Sequence, residues 1–153
     1  MKGWQWIVVI AFIAAAAAGG AVLTSSVPGT PDIVQRFASA IATAEGFFLA
    51  GSRAQRNNNP GNVTSSFGQS TTGQDAQFPI FATVADGWQA LYNQVYKMFY
   101  GGSVYYNPSM TISQVGFIYA DGAHDPSGAF NWAANVAAAM GVTTDTPLTT
   151  LMS

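Results

Sequence analysis

The chain contains no cysteine, one histidine and one glutamate. Without cysteine there is neither a disulfide nor thiolate chemistry, and the lone His124 cannot assemble a zinc site of ordinary ligand spacing. No metal and no cofactor is therefore expected. Charge of either sign is also scarce: Asp, Glu, Lys and Arg make up 8% of the 153 residues, against roughly a quarter in an average soluble domain. The five Lys and Arg are scattered and the net charge is -2, so no basic field exists to hold a phosphate backbone, which excludes nucleic acid as a partner. Low charge does not mean disorder here. Disordered chains lack large apolar residues, whereas 49% of this chain is hydrophobic, with ten Phe, six Tyr and four Trp. The length suits one domain with a true core, its surface solvated by Ser, Thr, Asn, Gln and Gly.

What is present first is an apolar amino end. From Trp4 to Leu23 only Gln5 is strongly polar, Lys2 precedes the run, and small residues Ala18-Gly19-Gly20-Ala21 close it. Residues 1–24 read as a retained transmembrane anchor or a cleaved signal segment. Trp4 and Trp6 suit a membrane interface and Lys2 an inside amino terminus. Either reading carries the remainder across a membrane. Residues 25–30, Ser-Ser-Val-Pro-Gly-Thr, form a breaker-rich linker, and residues 31–153 form the domain.

Within that domain Thr30-Pro31-Asp32 predicts a helix start, with Thr30 as N-cap and Pro31 in the first helical position, running to about Phe48. Gly51 to Gln77 is polar and short of apolar anchors, fitting loops and short β-hairpins. Thr83 and Asp86 form a capping pair ahead of Trp88, Leu91, Tyr92, Val95 and Phe99, in a helix ending at Gly101-Gly102. Thr111 caps a shorter helix carrying Ile112, Val115, Phe117, Ile118 and Tyr119, and a last helix from Ala129 to Met140 stops at Gly141. The fold class is α+β, mostly helical, with a small polar β-region. Trp88, Trp132, Phe117 and Phe130 fall on helical apolar patterns and are read as core; His124, in a Gly, Asp and Pro loop, is read as solvated.

The single glutamate stands out against this background. On a helix advancing about 100° per residue, Val34, Ala38 and Ile41 lie within about 40° of Glu45, so the carboxylate sits on an apolar stripe. Desolvation there raises its pKa, the condition for a general acid at neutral pH. Gly46 beside it leaves room for a ligand or the following loop to approach. A plainer alternative is an ion pair with Arg53 or Arg56 across the helix end. Downstream, Asn57, Asn58, Asn59 and Asn62 place neutral amides on a Pro-Gly turn, groups of the kind that recognise sugars, or simply turn formers.

At these residues the chain resembles the lysozyme-like superfamily, in particular the small phage-associated and bacterial lytic transglycosylase-like domains. The resemblance is carried by Glu45-Gly46, by the loop Arg56-Asn57-Asn58-Asn59-Pro60-Gly61-Asn62, and by Gly87, Trp88, Ala90 and Leu91 within "FPIFATVADGWQALYNQV". The block "IYADGAHDPSGAFNWAANVAAAMGV" adds an aromatic-x-x-x-Val and a Gly-Val ending. Together these span about Asp32 to Leu148. The resemblance implies a lysozyme-like domain that cleaves the β-1,4 bond between N-acetylmuramic acid and N-acetylglucosamine in peptidoglycan. Glu45 would act as acid and then base in forming a 1,6-anhydro ring. Asn59 and Asn62 would line the cleft, Gln69 would orient a substrate amide, and Tyr119 would bond near Glu45 or pack under a sugar. The partners implied are a glycan strand, the membrane through residues 1–24, and subunits of a virion or envelope machine, with the domain on the extracytoplasmic side or within a virion. Asp75 in the polar β-region is the one candidate for a second carboxylate, as two-carboxylate hydrolysis requires. Two alternatives stay open: a lysozyme-type hydrolase using Asp75, and a non-catalytic lysozyme-like glycan-binding or structural subunit.

Overall fold

The structure, a computed structural model, describes residues 28–153. The expected anchor or signal segment lies outside the described residues, among which no helix is long and apolar enough to cross a membrane. The order of elements is α1 (Asp32–Ala44), α2 (Arg53–Arg56), β1 (Thr71–Asp75), β2 (Phe78–Phe81), α3 (Val84–Tyr100), α4 (Ile112–Tyr119), α5 (Pro126–Met140) and a terminal 3-10 helix (Leu148–Met152). This is an α+β architecture with a helical majority and one two-stranded sheet.

Helix α1 is buried along Ile33, Val34, Phe37, Ala38, Ile41 and Ala44, and it packs against α3 and α5. Phe37 meets Phe99 of α3 edge to face at 5.2 Å. Two details differ from the sequence expectation. Pro31, not Thr30, holds the cap position: its carbonyl accepts the N–H groups of Val34 and Gln35, and Thr30 contributes only its carbonyl, to the Gln35 side chain. The helix also stops at Ala44 rather than near Phe48, leaving Glu45 as the C-cap. The reason is Gly46 at φ +73, a left-handed conformation that glycine adopts without strain. Gly46 N–H bonds to Thr43 O and Phe47 N–H to Ala42 O, the paired bonds of a Schellman ending. Gly46 therefore terminates the helix, and Leu49 of the following loop comes within contact distance of where its side chain would be.

The other caps fall where the sequence places them. Thr83 accepts from Asp86 N–H at the start of α3, Thr111 and Gln114 complete a reciprocal capping box on α4, and Gly141 ends α5 in the left-handed region. Helix α5 begins three residues early, at Pro126, because Asp125 caps it through Gly128 N–H. The hairpin pairs Gly73 with Ile80 and Asp75 with Phe78, antiparallel. Pro79 and Phe81 face the core while β1 stays polar and solvated.

The asparagine string is what fastens this hairpin to the helices. Asn57 O accepts from Phe81 N–H, and the Asn58 side chain donates to Phe81 O. Asn59, fully enclosed, donates to Val63 O and Pro79 O and accepts from Val63 N–H. Asn58 and Asn62 have positive φ, which asparagine tolerates better than most residues. Helix α3 comes so close that a Cβ on Gly87 would lie 1.8 Å from Asn58 O. Gly87→Ala is therefore expected to push the loop off α3 and lower stability by about 3 kcal/mol or more, read as a drop in the thermal unfolding midpoint.

Candidate active site

Three elements bring side chains to Glu45. The end of α1 supplies the carboxylate, the Pro60-Gly61 turn swings Asn62 over it, and α5 supplies Trp132 from the other side. Asn62 Nδ2 donates to Oε2 at 2.8 Å and Trp132 Nε1 donates to Oε1 at 2.9 Å. Behind them Tyr119, at the end of α4, stacks on Trp132 with ring centroids 4.8 Å apart and planes 24° from parallel. Its hydroxyl donates to Gly61 O at 2.5 Å, tying α4 to the turn that carries Asn62. A side chain on Gly61 would collide with Leu91 and with that hydroxyl, so the glycine is required by packing.

Glu45 is partly buried, and its carboxyl group feels the loss of water strongly. Burial lifts its pKa from the ordinary carboxylate range to about 7, against the opposing pull of the Asn62 and Trp132 hydrogen bonds and the charge of Arg53. Tyr119 is pushed well above its ordinary value by burial, then by the charges of Glu45 and Tyr106. Tyr106 is raised for the same kind of reason: burial first, then Glu45 and Tyr105. The site is thus an acid that can be neutral or ionised near pH 7, enclosed by neutral N–H and aromatic groups.

Arg53 and Arg56 do not pair with Glu45. Arg53 Nε lies 3.5 Å from Asp75 and its guanidinium rests over Phe78, while Arg56 donates to Gly51 O. Asp75 also accepts from Asn57 Nδ2 at 3.1 Å. Its partners belong to the hairpin staple, and none of its bonds reaches Glu45. Asp86 accepts from the Thr83 hydroxyl at the start of α3, Asp125 caps α5, and Asp121 bonds His124, which is solvated as expected.

Of the residues expected at the site, Asn62 and Tyr119 are there. Asn59 is not: sealed in the hairpin staple with both side-chain polar atoms used, it cannot line a cleft. Gln69 bonds the carbonyl of Phe67 within its own turn, and no bond joins it to Glu45. Trp132, which its helical pattern reads as core rather than a sugar platform, is buried, and its indole N–H is also one of the two donors to the acid. The aromatic-x-x-x-Val spacing on α5 marked that position, but a helical apolar pattern cannot tell a core indole from one whose N–H faces a carboxylate. Phe117 and Phe130 depart in the opposite sense, at 53% and 68% exposed. Each is two residues from a site aromatic, about 200° around its helix, and so faces away. They flank an apolar groove of about 370 Å³ with Ser113, Gln114, Pro126 and Ala129. Trp88 is core, as expected.

No family model, curated protein or solved structure matches the chain.

Because the chain has a single glutamate, selective 13C labelling of that side chain gives one carboxyl resonance. It is expected to titrate near pH 7. Trp132→Phe, which keeps the ring and removes the N–H, leaves the ionised form less stabilised and should move that midpoint upward by about one unit. Linkage fixes a companion result. A carboxyl whose pKa is raised on folding holds more protons folded than unfolded between pH 4.5 and about 7, so stability falls as pH rises through that window. Unfolding of the protein should lose roughly 3 kcal/mol across it relative to Glu45→Gln, whose profile should be flatter.

Proposed function

We propose that this protein is a peptidoglycan lytic transglycosylase with a lysozyme-like domain, cutting the β-1,4 bond between N-acetylmuramic acid and N-acetylglucosamine. The observation that carries the reading is Glu45: one desolvated carboxyl group, protonatable near neutral pH, gripped by two neutral donors and with no second carboxylate bonded beside it. The motif resemblance supplies the substrate.

In this reading protonated Glu45 gives its proton to the glycosidic oxygen as the C1–O bond breaks. The group is then a carboxylate, the form that the Asn62 and Trp132 N–H groups stabilise. It takes the proton of the muramoyl 6-hydroxyl as that oxygen closes on C1, which yields a 1,6-anhydro end, consumes no water and returns Glu45 to its starting state. A pKa near 7 matches both halves of the task, since donor and acceptor forms are then equally accessible. Hydrolysis through Asp75 is less well supported, because Arg53 and Asn57 hold that carboxylate. A non-catalytic glycan-binding subunit would favour an acid neutralised by a fixed cation; Arg53 is instead paired with Asp75.

The same proposal places the domain outside the cytoplasm, tethered or exported by residues 1–24, and opening the wall locally as part of a virion or envelope machine. The low charge of the chain agrees with a neutral glycan as the ligand.

The purified protein incubated with sacculi should release muropeptides ending in anhydro sugars, each one water lighter than the hydrolysed form, as read by mass spectrometry. Glu45→Gln should lower the rate by about 10²- to 10⁴-fold. Anhydro release undiminished by that substitution would reject the assignment. In the wild type kcat/KM should decline above pH about 7, as the acid loses its proton.

A further inference from the structure

Two side chains bond the Glu45 carboxyl, and they differ in what they can do for it. Trp132 Nε1 donates to Oε1 at 2.9 Å and Asn62 Nδ2 donates to Oε2 at 2.8 Å, an arrangement that suits the ionised group. Once protonated, the carboxyl has a hydrogen of its own to place. An indole N–H has no lone pair and cannot accept it; of the two partners only the Asn62 amide carries an acceptor, Oδ1. That oxygen is enclosed, and among the described residues no donor reaches it. A buried acceptor without a donor is unfavourable, and this one belongs to the same amide that already touches the acid.

The turn fixes where this amide sits but not which way round it sits. Asn62 N–H bonds to Asn59 O, Tyr119 donates to Gly61 O, and Gly61 is pressed against Leu91, so the backbone that carries the side chain is held. The torsion between Cβ and a planar amide is broad and roughly two-fold. A half turn about it exchanges Nδ2 and Oδ1, groups of closely similar size, with little change in packing.

We infer that Asn62 is a positioning residue whose amide follows the acid's proton, presenting Nδ2 to Oε2 when Glu45 is ionised and Oδ1 to a proton on Oε2 when Glu45 is neutral. The proton of the neutral acid is thereby placed on Oε2, the oxygen beside the Pro60-Gly61 turn, while Oε1 keeps the indole N–H in both states. Glu45 is the group whose charge changes. Arg53 of α2 is paired with Asp75, and Tyr119 of α4 and Tyr106 ahead of it are raised by burial first and stay neutral in this range. On α3, Asp86 accepts from Thr83, Lys97 lies over Phe67 and burial raises Tyr92; α5 carries no titratable side chain. His124, also shifted upward, is exposed and bonded to Asp121 in the loop between α4 and α5. The rotation itself needs no ligand. On the lytic reading the amide turns once as Oε2 gives up its proton and again as it takes one from the muramoyl 6-hydroxyl.

The test is made on the full-length protein labelled with 13C and 15N, by NMR at about two pH units below and above the Glu45 midpoint, where a carboxyl is about 99% protonated and about 99% ionised. Above the midpoint a scalar coupling through the hydrogen bond should join Asn62 Nδ2 to the Glu45 carboxyl carbon. Below it that coupling should be lost, and the Nδ2 shift should follow the carboxyl resonance through the same midpoint. In Glu45→Gln the Asn62 side chain should not titrate, whereas His124 still should. Coupling at both ends of the range or at neither would overturn the rotation, as would an Nδ2 shift that ignores the acid; a side chain that merely held the turn would give one of these results. The expected exchange in a protein that releases no anhydro sugar from sacculi would uphold the rotation and remove the lytic reading. Anhydro release with a coupling indifferent to pH would do the reverse.

Discussion

A carboxyl group withdrawn from water must be kept neutral or supplied with donors, and Glu45 is poised between those two states. Burial alone would favour the neutral acid. The indole of Trp132 and the amide of Asn62 pull it back toward ionisation, and the balance falls near pH 7. Each of these neighbours needs a different part of the fold. Trp132 depends on the packing of α5 against α1 and α4, and Asn62 depends on a turn held down by Tyr119 and α3. The site is therefore a convergence of tertiary contacts on one atom pair, and disturbing either flank shifts the acid.

The asparagine string illustrates how a motif divides its labour. Asn57, Asn58 and Asn59 spend their amides on strand β2, the following loop and Asp75, and the glycines at 61 and 87 clear space for close packing. Only Asn62 touches the acid. Most of the string is there to put its last member in the right place. Neutral amides suit this task because they satisfy both donors and acceptors of buried backbone without bringing charge into a desolvated region. The scarcity of charge across the chain is consistent with that economy, since an unpaired cation near Glu45 would pull its pKa down.

Local signals were legible where the physics is local. Thr83, Thr111, Gly101 and Gly141 act as the caps and stops their positions suggested, because capping joins residues three or four apart. The end of α1 is not legible in the sequence, because Glu45-Gly46 reads equally as helix interior or Schellman ending until the φ of Gly46 is known. Phe117 and Phe130 mislead for another reason: hydrophobic spacing reports a helix face but not whether another element covers it.

By itself the sequence determined a mostly helical domain with a polar β-excursion and a single glutamate on an apolar helix stripe, since both follow from residue type and short-range spacing. Tertiary structure alone decided which amides serve the fold and which the acid, that an indole 87 residues away would hold one carboxylate oxygen, and that Asp75 would be claimed by Arg53 and Asn57. The physical reason is that desolvation and long-range hydrogen bonding depend on what lies across the chain from a residue, and no local pattern encodes that.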